Sequence, residues 1–339
     1  IAANFQPLTP CGISSGVIGS AGPTNFYANF TGAPLTNTWY PVAMVSALTG
    51  VDQAAGLPDG ASISASFNSN IGTAGCLPSL SWYLGLDANE PSSQIDLVAT
   101  LLHEFGHGLG FLSLVDESDG TIPTFFDPFS RFVFDNTAGL FWTAMSDGQR
   151  QTSATNTGNV AFDGTNTKTA ASILTTGRDG SGRPKIYTPS PIEPGSSLSH
   201  FDTSASPNQL MEPAIQGDLT HNVDVPNDLT TKTFQDIGWP LLAGAPAAPA
   251  GVVAAAGIIA LALDRAGDAV EAHHVVQRVV HGTQIRIDFL ADVPRQEAQP
   301  LARLDRRTHQ HDPAHAIGLQ RFDGARDRQI RLAGARRSD

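Results

Sequence analysis

Between residues 94 and 109 the apolar side chains Val98, Leu101, Leu102, Phe105 and Leu109 recur three, four and seven residues apart. At about 100° per residue they gather on one side of a helix, roughly 160–260° round from His103. The spacing predicts an amphipathic helix over about 94–109. Ser93 is its expected N-cap, with Asp96 three residues on in the manner of a capping box. Gly108 and Gly110 permit the left-handed turn that ends it. A second pattern, strict alternation, runs from Ala61 to Phe67, with Ile63, Ala65 and Phe67 on one side and Ser62, Ser64 and Ser66 on the other. It predicts a half-exposed strand. At a sheet edge such a strand can also take an extended peptide by strand addition.

Elsewhere the pattern is weaker. Residues 1–20 read as a strand, a Pro-Cys-Gly turn and a second short strand. Residues 38–49 suit a short helix with Pro41 in its first turn. Residues 112–199 are rich in Gly, Ser, Thr and Asn, with an aromatic knot from Phe125 to Phe134 and a short helix near 146–153. Past Trp239-Pro240 the chain changes character. Its apolar run Val252–Leu263 is shorter than the roughly 20 residues that span a bilayer. Beyond that run lie Arg, Asp, Ala and irregularly spaced His, with no Tyr or Trp. The expectation is one domain over 1–240, in which 112–199 is an insertion, and a poorly ordered Ala/Arg-rich tail over 241–339.

Charge sharpens that division. Residues 1–240 carry 7 Lys or Arg against 21 Asp or Glu, a net of −14, whereas residues 241–339 carry 13 Arg against 11 acids, a net of +2. An acidic body argues against a nucleic-acid partner, because phosphate contacts need basic clusters.

The predicted helix carries chemistry on its other side. His103-Glu104-Phe105-Gly106-His107-Gly108-Leu109-Gly110 spells H-E-x-x-H-x-x-G. His107 lies one turn along from His103 and roughly 40° round, so both imidazoles can reach one metal ion. Glu104, roughly 100° from His103, sits beside that ion without competing as a ligand. This is a known zinc-peptidase signature. A catalytic zinc site takes three protein ligands plus water. Six residues after His107, where the common metzincin spacing puts the third ligand, stands Ser113, a poor one; Asp116 falls three residues too late. Outside the tail the remaining histidines are His200 and His221.

His200 lies in Ser197-Leu198-Ser199-His200-Phe201-Asp202, and eleven residues on comes Met211 in Leu210-Met211-Glu212-Pro213. With the H-E-x-x-H-x-x-G-F motif and the long insertion, this order resembles the leishmanolysin branch of the metzincins. It resembles more closely a set of secreted bacterial relatives, some of which carry a protease-associated domain for which there is no room here. The resemblance covers nearly all of 1–240, including Pro194-Gly195-Ser196-Ser197 and Asp236-Ile237-Gly238-Trp239. It implies that His103, His107 and His200 bind Zn2+, that Glu104 is the catalytic carboxylate and that Met211 forms the Met-turn beneath the metal. His221 is the alternative third ligand, though it lacks a Met partner at the right distance. Where some metzincins place a tyrosine just past the Met, Glu212 and Pro213 stand here. The implied fold is α+β: a twisted mixed sheet with the active-site helix above the cleft and an irregular lower subdomain.

The expected function is a secreted zinc endopeptidase acting on proteins or peptides as a monomer, with no membrane span. No signal peptide is visible after Ile1, and one is expected upstream. Cys11 and Cys76, which lack metal-ligand spacing, are then expected to pair in an oxidising compartment; the alternative is two buried free thiols. Two other functions compete: a non-catalytic peptide-binding protein on a peptidase scaffold, and a zinc hydrolase of a non-peptide substrate. The intact Glu104 argues against the first. A purely structural zinc site would need a fourth protein ligand, and none is evident.

Overall fold

The computed structural model describes residues 1–239 apart from residues 58, 216–218 and 220. The predicted tail over 241–339 lies outside the described residues. The described chain is α+β, with several small sheets and a few short helices. The first half contains β1 (Ala2–Gln6), β2 (Gly19–Pro23), β3 (Phe26–Tyr27), β4 (Tyr40–Pro41) and α1 (Val42–Thr49). It continues through β5 (Ile63–Asn68), β6 (Ser81–Tyr83), β7 (Gln94–Asp96) and α2 (Leu97–Gly108). The second half adds β8 (Val133–Asp135), β9 (Leu140–Phe141), α3 (Asp147–Ser153), β10 (Val160–Phe162), α4 (Thr165–Ala170) and α5 (Thr230–Ile237). No described helix is long and apolar enough to cross a membrane.

The sheet that positions the site is mixed and three-stranded, in the order β1-β5-β2. β1 runs parallel to β5 with Ala2 opposite Ser64, and β2 runs antiparallel to it with Gly19 opposite Phe67. The alternation in β5 holds: Ile63, Ala65 and Phe67 are buried and pack with Ala21 of β2 and Leu97 and Phe105 of α2. One expectation is overturned. β5 is the middle strand, so both its edges are occupied and it cannot take a peptide by strand addition. Among the described residues the edge beside α2 belongs to β2.

Helix α2 starts later than its periodicity suggests. Gln94–Asp96 is a strand paired with Ser81–Tyr83, and the Ser93 carbonyl accepts from Ser81 N. The N-cap is therefore Asp96, not Ser93: its Oδ1 accepts from Val98 N at 2.7 Å and Ala99 N at 3.2 Å, satisfying two of the first-turn donors. Likewise Pro41 is the N-cap of α1, ahead of the first turn, because β4 claims the residues before Val42. The helix near 146–153 is α3, closed by a capping box of Ser146 and Gln149.

The insertion is folded. β8 lies between β9 and β10, and the aromatic knot anchors this unit to α2. Phe129 packs at a tilt against Phe111, just past the helix, at 4.8 Å between centroids and against Phe162 at 5.0 Å. Phe111 in turn meets Phe201, the neighbour of His200, at 5.0 Å. A single apolar cluster thus carries both ends of the segment that separates His107 from His200.

On the other side of the sheet, Cys11 and Cys76 are joined in a disulfide. Beside it Asn68, fully buried, ties three segments together. Its amide donates to Leu8 O at 3.2 Å and Val17 O at 2.6 Å and accepts from Leu8 N and Asn70 N. Truncating a group with this many buried partners leaves them unpaired at about 1–3 kcal/mol each where water cannot enter. Asn68→Ala is expected to lower stability by about 2–4 kcal/mol, read from urea unfolding. A loss below about 0.5 kcal/mol would show the site to be rehydrated freely.

Candidate metal centre

Helix α2 brings His103 and His107 to one side, and the turn after Ser196 brings His200 against them. The three rings are fully buried. Their Nε2 atoms form a nearly equilateral triangle: 3.0 Å from His107 to His103, 3.2 Å from His107 to His200 and 3.2 Å from His200 to His103. Each Nδ1 is engaged by a backbone carbonyl at 2.7 Å, that of Leu210 for His103, Phe111 for His107 and Ser196 for His200. A carbonyl only accepts, so each ring carries its proton on Nδ1 and turns a lone pair inward from Nε2.

Three converging lone pairs repel unless something positive sits among them. Tetrahedral coordination at a metal–nitrogen length of about 2.0–2.1 Å asks for nitrogen–nitrogen edges of about 3.3 Å. The triangle is within a few tenths of an ångström of that, so the donors fit a metal ion. Burial favours the neutral imidazoles that binding needs. It holds His103 down to about 4, partly offset by the Leu210 carbonyl. It holds His107 and His200 well below their usual range, with the neighbouring imidazoles lowering them further.

Glu104 is different in kind. Its side chain is fully buried, neither carboxyl oxygen has a hydrogen-bond partner, and burial pushes its pKa well above the usual carboxylate range. It is not one of the donors that lie within 4.8 Å of one another, which among the described residues are those of His103, His107 and His200. A desolvated carboxyl beside a metal site, outside the ligand set, is suited to moving a proton. The helix was expected to turn one face to a metal and the other to a core, and both faces are buried. His103, Glu104 and His107 are as buried as Leu102 and Phe105.

Met211 lies under the helix. A Cβ on Gly106 would come within 2.6 Å of its Sδ, so the glycine inside the motif makes room for the methionine. The residue before Met211 is also engaged: Leu210 O receives His103, while Leu210 N donates to Asp228 Oδ2 at 2.6 Å. Asp228, buried and with its pKa raised by that burial, is thus linked to His103 through the backbone of Leu210, whose N–H and C=O each hold one of them.

His221 is not a ligand in this arrangement; it pairs with the helix cap, Nε2 to Asp96 Oδ2 at 2.6 Å. Ser113 is turned to the Ser130 hydroxyl at 2.8 Å, and Asp116 closes a local turn by accepting from Ser118 N. Glu212 accepts from Gln209 N at 2.7 Å. Two contributors had no signal in the pattern of residues. Asp228 reaches His103 through the Leu210 backbone, and a Cβ on Gly19 would lie 2.2 Å from Glu104 Oε1; both contacts are made by distant segments, and neither residue belongs to a motif.

No family model, curated protein or solved structure matches the chain. The assignment of ligands therefore stands on the geometry, and it is directly testable. His200→Ala should weaken zinc binding by more than the roughly 10–100-fold that losing a supporting hydrogen bond costs. His221→Ala should leave it within a few-fold. Competition against a chromophoric chelator measures both, and the reverse ranking would move the third ligand to His221.

Proposed function

We propose that the chain is a zinc-dependent endopeptidase of the metzincin type that works outside the cell. The observation that carries this reading is the pairing of three convergent, neutral imidazoles with an unpartnered buried carboxyl one residue from the first of them. The resemblance of the two motifs to leishmanolysin-like peptidases supports it. A closed structural site would use a fourth protein donor, and among the described residues none joins the three. The disulfide is consistent with an oxidising, extracellular setting.

When bound, zinc supplies Lewis acidity, which polarises a carbonyl and acidifies water. The protein's own groups do the rest. The carbonyls of Leu210, Phe111 and Ser196 hold the imidazoles in one tautomer and one orientation. Glu104, as carboxylate, takes the proton of the attacking water and passes it to the leaving nitrogen. Its desolvated setting raises its basicity toward what that task needs. β2 offers a backbone edge for an extended substrate. Asn68 N donates to Ile18 O and Thr24 N to Ser62 O, so Ser20 and Gly22 turn their peptide groups toward β5. Gly19 and Ala21 turn theirs away from it, where a peptide strand can pair.

The test is cleavage of unfolded casein by the zinc-loaded full chain, followed by chelation and restoration of zinc. Cleavage that is lost with the metal and returns with it is expected. Tight zinc binding with no cleavage of casein or of mixed peptide libraries would favour a non-catalytic peptide-binding protein.

A further inference from the structure

Gly19 stands in an ordinary strand conformation, yet it has no room for a side chain. A Cβ there would lie 2.2 Å from Oε1, 2.7 Å from Cδ and 2.9 Å from Cγ of Glu104. All three atoms belong to one residue, so the Glu104 side chain lies flat across the Cα of Gly19. The backbone does not call for glycine: Gly19 is not among the positive-φ residues, and its strand neighbour Ala21 carries a methyl toward α2 without conflict. Glycine within a strand weakens it and marks a close approach by another group. Here that group is the Glu104 carboxyl.

The same carboxyl has no hydrogen bond to fix its angle. Its orientation must come from the walls around it. We infer that Gly19 is a positioning residue: the bare face of β2 at this point sets where the Glu104 carboxylate rests relative to the three histidines. The inference rests on Glu104 being the proton carrier in the reading above, but the contact itself does not.

An added methyl must push the carboxylate by about an ångström, and misplacement on that scale costs about 100-fold in rate. Gly19→Ala is therefore expected to lower kcat about 100-fold with KM within about three-fold of the parent. Zinc content should stay at one per chain. Rescue distinguishes positioning from general damage. Glu104→Asp withdraws the carboxyl by one methylene, so in that background the Gly19→Ala change should cost less than about three-fold, against about 100-fold in the parent.

A second cycle needs no activity. In the metal-free full chain, Gly19→Ala should lower Tm, and it should lower it little or not at all in a Glu104→Ala background, where the colliding atoms are gone. An equal fall in both backgrounds would overturn the contact. An unchanged kcat in Gly19→Ala, or the same fold-loss in the Glu104→Asp background, would overturn the positioning role. If the parent itself cleaves nothing, the peptidase reading fails, and the Tm cycle still decides whether Gly19 and Glu104 are coupled.

Discussion

Glu104→Gln is expected to stop peptide cleavage while leaving zinc in place. Glutamine keeps the length and nearly the volume of the side chain, so the contact with Gly19 and the packing of α2 survive. What disappears is the ability to accept the proton of water and return it to the leaving nitrogen. Loss of a general base costs about 10²–10⁴-fold in kcat. Zinc affinity should hold, because the carboxyl is not among the three donors that converge. Stability should hold or rise, since a buried carboxyl without partners is a cost to the fold. Turnover of a fluorogenic peptide, zinc per chain and Tm on the same preparation separate these effects. Activity within ten-fold of the parent would remove Glu104 from the mechanism. Loss of zinc together with activity would show instead that the carboxyl supports the metal.

Replacing both cysteines by serine is expected to give the largest loss of stability. The disulfide joins positions 65 apart, and in the chain-entropy model a cross-link of that span stabilises by about 4 kcal/mol. The two cysteines bracket β2 and β5, the strands that pack against α2. Urea unfolding of the double Cys11→Ser, Cys76→Ser variant measures the effect. A loss under about 1 kcal/mol would mean that the reduced chain keeps this loop closed without the bond.

What could be read from the chain alone was whatever is local. The 3.6-residue periodicity marks α2, and the four-residue spacing of His103 and His107 follows from helix geometry. The alternation of β5 and the short helix near 146–153 are equally local. His200 stands 93 residues beyond His107, and no periodicity links them; only the resemblance of motifs pointed to it, and the fold then brought the rings to 3.2 Å. The errors have the same origin. Ser93 looked like the cap because the pairing of β7 with β6 depends on a strand eleven residues upstream. The place of β5 between two partners is a matter of strand order, which alternation does not encode. Gly19 was silent because the reason for it is a side chain 85 positions away.

The closeness of Gly19 to Glu104 makes strand register a kinetic variable. A slip of β2 by one residue against β5 would exchange its faces and bring Ile18 or Ser20, each with a Cβ, to the carboxyl. Two features hold the setting from outside the site. Asn68 grips the Val17 carbonyl two residues before Gly19, and Cys11 fastens the approach to β2. They act on the Glu104 carboxyl as an index pin acts on a dial, without touching what is read there. Changes at Asn68 too small to unfold the protein should still be heard in its turnover.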